Sequence, residues 1–246
     1  MSNVPVRGLF GCEPDKYSTN LLNINPGSVN DFYGNATYNF PNQTQIDLTK
    51  NGIWGLDTGT ISNGGIYIYL IGNSTTGDFG FIASKSITEG GLVCPSGYSF
   101  LRKLPWGINY NTSWDGIPNF HLTHWSMPFI TYTDSEYASL WMPIAGGSAS
   151  NWTDIDLSTW LPDNARLAYI SAQIRYNSGS EGSGYLRSYS GQKTGQIIGS
   201  ASPGSPYTGQ STFFLRTTSD RKIQYRTTGS VQLYLGVMGY CMSDPS

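Results

Sequence analysis

Charge is scarce in this sequence. Asp, Glu, Lys and Arg make up 12% of its 246 residues, roughly half of the usual share of about 25%. The formal net charge of −2 excludes the basic surface that nucleic-acid binding requires. No apolar run reaches the ~20 residues that span a membrane, and the first twenty residues lack the pattern of a signal peptide. We therefore expect no nucleic-acid partner, no membrane insertion and no signal-directed export.

Cysteine and histidine are also rare. Cys12, Cys94 and Cys241 are odd in number and far apart, so they form neither a disulfide framework nor a zinc site and are expected to be small buried hydrophobic residues. His121 and His124 lie three apart on a predicted strand, where their side chains point to opposite faces. The sequence therefore predicts no metal site, no cofactor and no catalytic centre built on histidine.

Glycine and aromatic residues, in contrast, are abundant, with 30 Gly, 17 Tyr and 7 Trp. Apolar and polar residues alternate with period two along many short segments, and Asn, Gly, Pro and Ser separate them. No segment of about twelve residues shows a helical stripe. These patterns predict an all-β chain of two antiparallel β-sandwich modules that resemble jelly rolls.

Two features set the expected module boundaries. The first 34 residues carry Pro5, Pro14 and Pro26 with little periodicity, which is typical of an extended arm. The first series of strands ends near Pro128. The predicted organisation is an arm at 1–34, a first β-sandwich at 35–128 and a second β-sandwich at 129–246.

The stretch from Gly55 to Ser84 opens with Gly-Leu-Asp-Thr-Gly, which raises the question of a ligand loop. A phosphate-binding loop leads into a helix, whereas this stretch leads into another turn and a strand. We therefore interpret Asp57 and Thr58 as turn residues that bond to nearby backbone. The two strands that follow, at 66–71 and 79–84, are expected to form a hairpin.

A candidate ligand surface lies between Trp106 and Trp125, where aromatic residues alternate with Asn, Asp and Thr. Aromatic faces and polar hydrogen-bonding groups suit a sugar. The candidate glycan-binding residues are Trp106, Tyr110, Trp114 and Asp115. The alternative is that these rings close the ends of a sandwich or cover a subunit interface.

Asp154 and Asp156 lie two apart on a predicted strand and hence on one face. Such a pair serves a glycosidase only if a groove places it correctly. The alternative is a solvated strand edge, where charges discourage edge pairing. We favour the edge interpretation and expect no catalytic residues.

Several motifs together resemble an appendage module of tailed-bacteriophage virion proteins. In order they are QIDL, GLDTG, the Tyr-rich strand IYIYLI, FGFIAS and PSGYSFLRKL, in about residues 44–104. The later segments TDIDLSTWLPDNARLAYISAQI, RKIQYR and LGVMGY resemble the β-sandwich that follows that module, in about residues 150–240.

The resemblance implies a structural, non-enzymatic virion protein: a tail fibre, a head fibre or a capsid or tail decoration protein. It implies a homotrimer, attachment to other virion proteins through residues 1–34, and tips that can contact host-surface glycans. Heptads and extended repeats of a fibre shaft are missing, which favours a short protein seated directly on the particle. The alternatives are a carbohydrate-binding lectin and a polysaccharide-degrading tailspike.

Overall fold

The computed structural model describes residues 9–123, 129–133, 142–188, 195–206 and 211–242. The chain divides into two compact units, the first comprising Met1–Thr123 with Asp244–Ser246 and the second His124–Ser243. Nearly all regular structure is β-strand, in sheets that are mainly antiparallel. The predicted all-β class is confirmed. Within the described ranges there is no helix with the length and apolar character needed to cross a membrane.

The first unit contains eleven described strands and two short 3-10 turns, Glu89–Gly91 and Thr112–Trp114. The strands are β1 (Leu9–Gly11), β2 (Pro14–Ser18), β3 (Leu21–Ile24), β4 (Gly27–Asn30), β5 (Thr37–Phe40), β6 (Thr44–Asn51), β7 (Gly55–Leu56), β8 (Gly64–Gly72), β9 (Phe79–Ser84), β10 (Ser99–Tyr110) and β11 (Phe120–Thr123). One sheet has the order β10-β8-β9-β7-β6-β3-β2, and a smaller sheet has the order β1-β4-β5.

Aromatic rings join the two sheets of the first unit. Phe40 on β5 stacks on Phe81 of β9 with ring centroids 4.3 Å apart, and Tyr38 packs edge-on against Phe79. Trp54 contacts both Phe40 and Phe81. Because strand side chains alternate between faces, these rings lie on the facing sides of their strands and form the core of a sandwich.

The predicted arm at 1–34 is wrong for the part of it that the structure describes. Strands β1 to β4 occupy most of residues 9–30 and belong to both sheets of the first unit. Pro14 is the first residue of β2, an edge strand, and Pro26 precedes β4, positions where a missing N–H does not break the ladder. The prolines therefore mark strand starts. Residues 1–8 lie outside the described part of the chain.

The second unit contains nine described strands. They are β12 (Phe129–Tyr132), β13 (Ile144–Gly147), β14 (Thr153–Asp156), β15 (Ala165–Tyr176), β16 (Gly182–Ser188), β17 (Gln196–Ala201), β18 (Ser211–Arg216), β19 (Lys222–Thr227) and β20 (Val231–Met242). One sheet has the order β12-β20-β15-β18, with β13 also paired to β20, and the other has the order β14-β19-β16-β17.

The connections of the second unit make it a jelly roll. From β14 onward the chain alternates between the two sheets, with one hairpin, β16–β17, inside a sheet. Since β12 and β13 both pair with β20, they act as one interrupted strand, and the unit has the eight strands of two Greek keys. Its core consists of the buried alternate residues of the two central strands, Ala168, Ile170, Ala172 and Ile174 on β15 and Val231, Leu233, Leu235 and Val237 on β20.

Candidate functional site

The aromatic residues predicted to bind glycan are buried. Trp106, Tyr110 and Trp114 are 1%, 4% and 4% exposed. A sugar stacks on an open ring face, and these rings have none. The predicted glycan site at these residues is therefore wrong, and their burial within one chain also argues against the alternative of a subunit interface.

Residues 110–117 form hydrogen bonds with Thr19 and Asn20 in the same unit. The Tyr110 hydroxyl donates to Asn20 Oδ1 at 2.8 Å, and the Thr19 hydroxyl donates to Asp115 Oδ2 at 3.2 Å. Burial, with a smaller effect of the Asp115 carboxylate, raises the pKa of Tyr110. The backbone of Ile117 also donates to Thr19. The segment from Tyr110 to Ile117 is thus anchored to the turn between β2 and β3.

The remaining candidates for chemistry are the two histidines and the three cysteines. His121 lies on β11, and His124 lies outside the described residues. Within the described part of the chain, no group of three or more His, Cys, Asp or Glu side chains could hold a metal ion. Cys12 and Cys241 are buried, as expected, while Cys94 is half-buried.

Asp154 and Asp156 lie on β14, an edge strand of the second unit. Asp154 accepts a hydrogen bond from Gln224 Nε2 at 2.8 Å and lies 3.8 Å from Lys222 Nζ. Asp156 accepts from the backbone of Ser158. Both carboxylates therefore have structural partners, which supports the interpretation of a solvated edge.

Asp57 binds residues distant in sequence as well as the nearby backbone. Its Oδ1 accepts from the adjacent Thr58 N–H, as expected of a turn residue. Its Oδ2 accepts from the Ser84 hydroxyl at 2.7 Å and from the Val93 N–H at 3.2 Å. The expected hairpin forms as β8 and β9. Asp57 links Ser84, at the end of β9, to Val93 in the segment that follows.

The strongest candidate for an interaction surface is the turn between β4 and β5. Phe32 and Tyr33 are 65% and 81% exposed, with their rings edge-to-face at a centroid distance of 5.3 Å. Two adjacent exposed aromatic residues are unusual in a turn, where polar residues dominate. We call Phe32 and Tyr33 the aromatic turn.

Hydrogen bonds fix the backbone of the aromatic turn. Asp31 N–H donates to Ala36 O at 3.0 Å, and the Asp31 side chain accepts from Asn35 N–H at 2.7 Å. The Phe32 N–H donates to Leu101 O on β10 at 2.9 Å, which holds the turn against the larger sheet. The two rings are therefore presented on a pre-ordered backbone, which lowers the entropy cost of binding a partner.

More exposed aromatic residues lie in the same part of the chain. Phe10 is 81% exposed and Tyr17 is 64% exposed. Of the seven exposed large hydrophobic residues in the described ranges, four therefore fall within residues 9–34. Sequence reasoning missed Phe32 and Tyr33, although a hydrophobic pair between Asp31 and Gly34 was a signal that could have revealed them.

No protein-family profile matches the chain, and no curated protein matches it.

Proposed function

We propose that the chain is a non-enzymatic structural protein of a bacteriophage virion that attaches to other virion proteins through its N-terminal 34 residues. The observation that carries the proposal is the concentration of exposed aromatic side chains in residues 9–34, including the pre-ordered aromatic turn. Aromatic anchors on a rigid backbone are typical of the residues that dominate protein interfaces. The phage setting rests on the order and spacing of the sequence motifs.

A second surface supports the homotrimer that we propose. On the outer face of the β12-β20-β15-β18 sheet, Phe214 stacks on Tyr169 at a centroid distance of 4.8 Å, and Phe129 lies 5.5 Å from Phe214. Phe214 is 54% exposed in the single chain. A contiguous aromatic face of this kind is typical of surfaces that are covered in an assembly.

The attachment test uses point substitutions rather than a truncation. Removing residues 1–34 would delete β1 to β4 and break both sheets of the first unit. Phe32→Ala combined with Tyr33→Ala removes two exposed rings and leaves the backbone bonds of the turn intact. We expect the unfolding free energy to change by less than about 0.5 kcal/mol, as is usual for surface substitutions.

The readout is binding of the purified variant to particles that lack this protein, measured by co-sedimentation. We expect at least a tenfold loss of affinity for the double variant, and no loss for Ile197→Ala, which removes an exposed apolar side chain from the second unit. Normal incorporation of the Phe32/Tyr33 double variant would overturn the proposed attachment surface. Turnover of capsular polysaccharide by the purified chain would instead favour the tailspike alternative.

Light scattering on the purified chain tests the trimer separately. The proposal predicts a mass three times the chain mass of 26.9 kDa, and a monomeric mass for Phe214→Ala combined with Tyr169→Ala. A stable monomer of the unmodified chain would overturn the proposed trimer.

A further inference from the structure

Arginine and aromatic side chains share the outer face of the β14-β19-β16-β17 sheet. Leu186, Ile223 and Tyr225 are buried, so the residues that alternate with them point outward. In the register of β16 with β19, Tyr185 lies opposite Arg226 and Arg187 lies opposite Gln224.

Trp152, which precedes β14, lies beside both arginines. We call Trp152, Tyr185, Arg187 and Arg226 the arginine–aromatic cluster.

Ring faces hold the two guanidinium groups. The Cζ atom of Arg187 lies 4.2 Å from the centroid of the Trp152 ring, and that of Arg226 lies 5.1 Å from the same centroid. Arg226 also lies 4.9 Å from the centroid of Tyr185. Contacts at these distances are favourable cation–π interactions. They hold both guanidinium groups in place over the rings.

Two consecutive hydrogen bonds fix the side chains beside Arg187. Arg187 Nε donates to Gln224 Oε1 at 2.8 Å, and Gln224 Nε2 donates to Asp154 Oδ1 at 2.8 Å. The amide of Gln224 is thereby oriented, and one carboxylate is placed at the edge of the cluster. Amide and carboxylate groups are partners that bind sugar hydroxyls.

Arg226 differs from Arg187 in its polar contacts. It lies against the two rings, and its Nε is buried with no hydrogen-bond partner among the described residues. A guanidinium group has five N–H donors arranged to match a carboxylate. The remaining donors of Arg226 can therefore pair with an acidic group of a ligand.

We propose that this face binds a carboxylate-bearing saccharide. The carboxylate pairs with Arg226, which Trp152 and Tyr185 hold in place, and the sugar hydroxyls bind Gln224 and Asp154. A polyphosphate backbone fits less well, since Asp154 and Asp156 lie on the same strand and would repel it. The site lies in the second unit and does not depend on attachment through residues 9–34.

The experiment is calorimetric titration of the full chain with oligosaccharides built on galacturonate, glucuronate, mannuronate or N-acetylneuraminate. Each acid is compared with its methyl ester, which keeps the sugar ring and removes the charge. We expect at least one acid to bind, its ester to bind at least tenfold more weakly, and Arg226→Gln to weaken binding of the acid at least tenfold. Arg216→Gln removes an exposed arginine on β18 and is the matched control, which should bind normally.

Several results would overturn the proposal: no binding by any acid in the panel, equal affinity for an acid and its ester, or unchanged affinity of Arg226→Gln. If inorganic phosphate or oligothymidylate bound the face as strongly as the acid does and displaced it, the face would be a general anion site. That result would also overturn the proposal. The Phe32/Tyr33 double variant should retain saccharide binding. Failure of this site and failure of the attachment surface can therefore be distinguished.

Discussion

The hydroxyl of Ser84 donates a hydrogen bond of 2.7 Å to the carboxylate of Asp57, across 27 positions of the chain. The same carboxylate oxygen accepts from the Val93 N–H, and the Asp57 N–H donates to Ala83 O at 2.7 Å. One side chain thus links the end of β7, the end of β9 and the segment that leads to β10. Asp57 is a structural junction of the first unit.

Substitution of Asp57 is expected to destabilise the first unit. Asp57→Ala leaves the Ser84 hydroxyl and the Val93 N–H without their acceptor, and Ser84 is buried. Losing a hydrogen-bond partner for a buried group costs about 1–3 kcal/mol. Urea unfolding followed by circular dichroism measures the change.

Asp78→Ala is the matched control for the Asp57 substitution. Its Oδ2 accepts an exposed hydrogen bond from Thr76, two residues away, so we expect a change below about 0.5 kcal/mol. Equal stability losses in the two variants would show that Asp57 has no special role.

The strands of the second unit could largely be predicted from sequence, because period-two alternation reports burial directly. The segment at 166–176 has buried residues at every second position over most of its length, and the structure places it at the centre of a sheet as β15. The strands within residues 9–30 were missed since they have three to five residues each. Such short segments carry too few alternations to show a period.

The arginine–aromatic cluster could not be derived from residue types alone. Trp106, Tyr110 and Trp114 have the residue types of a sugar site and are buried, whereas Trp152 has the same chemistry and is half-buried beside two arginines. The difference depends on which strands cover each ring. That information is contained in sheet order and register, which contacts distant in sequence determine.

Lys103 is expected to make stability depend on pH. Its Nζ donates to Ile87 O at 2.7 Å and lies 4.7 Å from the centroid of the Tyr67 ring. Burial lowers the pKa of Lys103 to about 8, whereas an unfolded lysine has a pKa of about 10.4. Between these values the unfolded chain binds more protons than the folded chain, so the unfolding free energy should rise as pH increases from 8 towards 10.

Two measurements check the prediction for Lys103. The ¹³C resonance of its Cε should titrate with a midpoint near pH 8, well below that of the other lysines. Lys103→Met should reduce the rise in unfolding free energy between pH 8 and 9.5, while Lys50→Met, at an exposed position, should leave it unchanged. A Cε midpoint above pH 10 would contradict the assignment.

Gly239 allows β12 to approach β20, and a side chain at this position is expected to destabilise the second unit. A Cβ atom at Gly239 would lie 2.1 Å from Ile130 O, whereas one at Gly204 would have no other heavy atom within 4 Å. Because the obstructing atom belongs to the backbone of β12, relief requires separation of the two strands, and we expect Gly239→Ala to cost about 1–3 kcal/mol. Gly204→Ala should change the unfolding free energy by less than about 0.5 kcal/mol. Urea unfolding measures both changes. Faster hydrogen exchange at the Ile130 and Thr131 amides in Gly239→Ala alone would show that the pairing of β12 with β20 is the part that is damaged. Unchanged stability of Gly239→Ala would show that position 239 does not require a glycine for β12 to pair with β20.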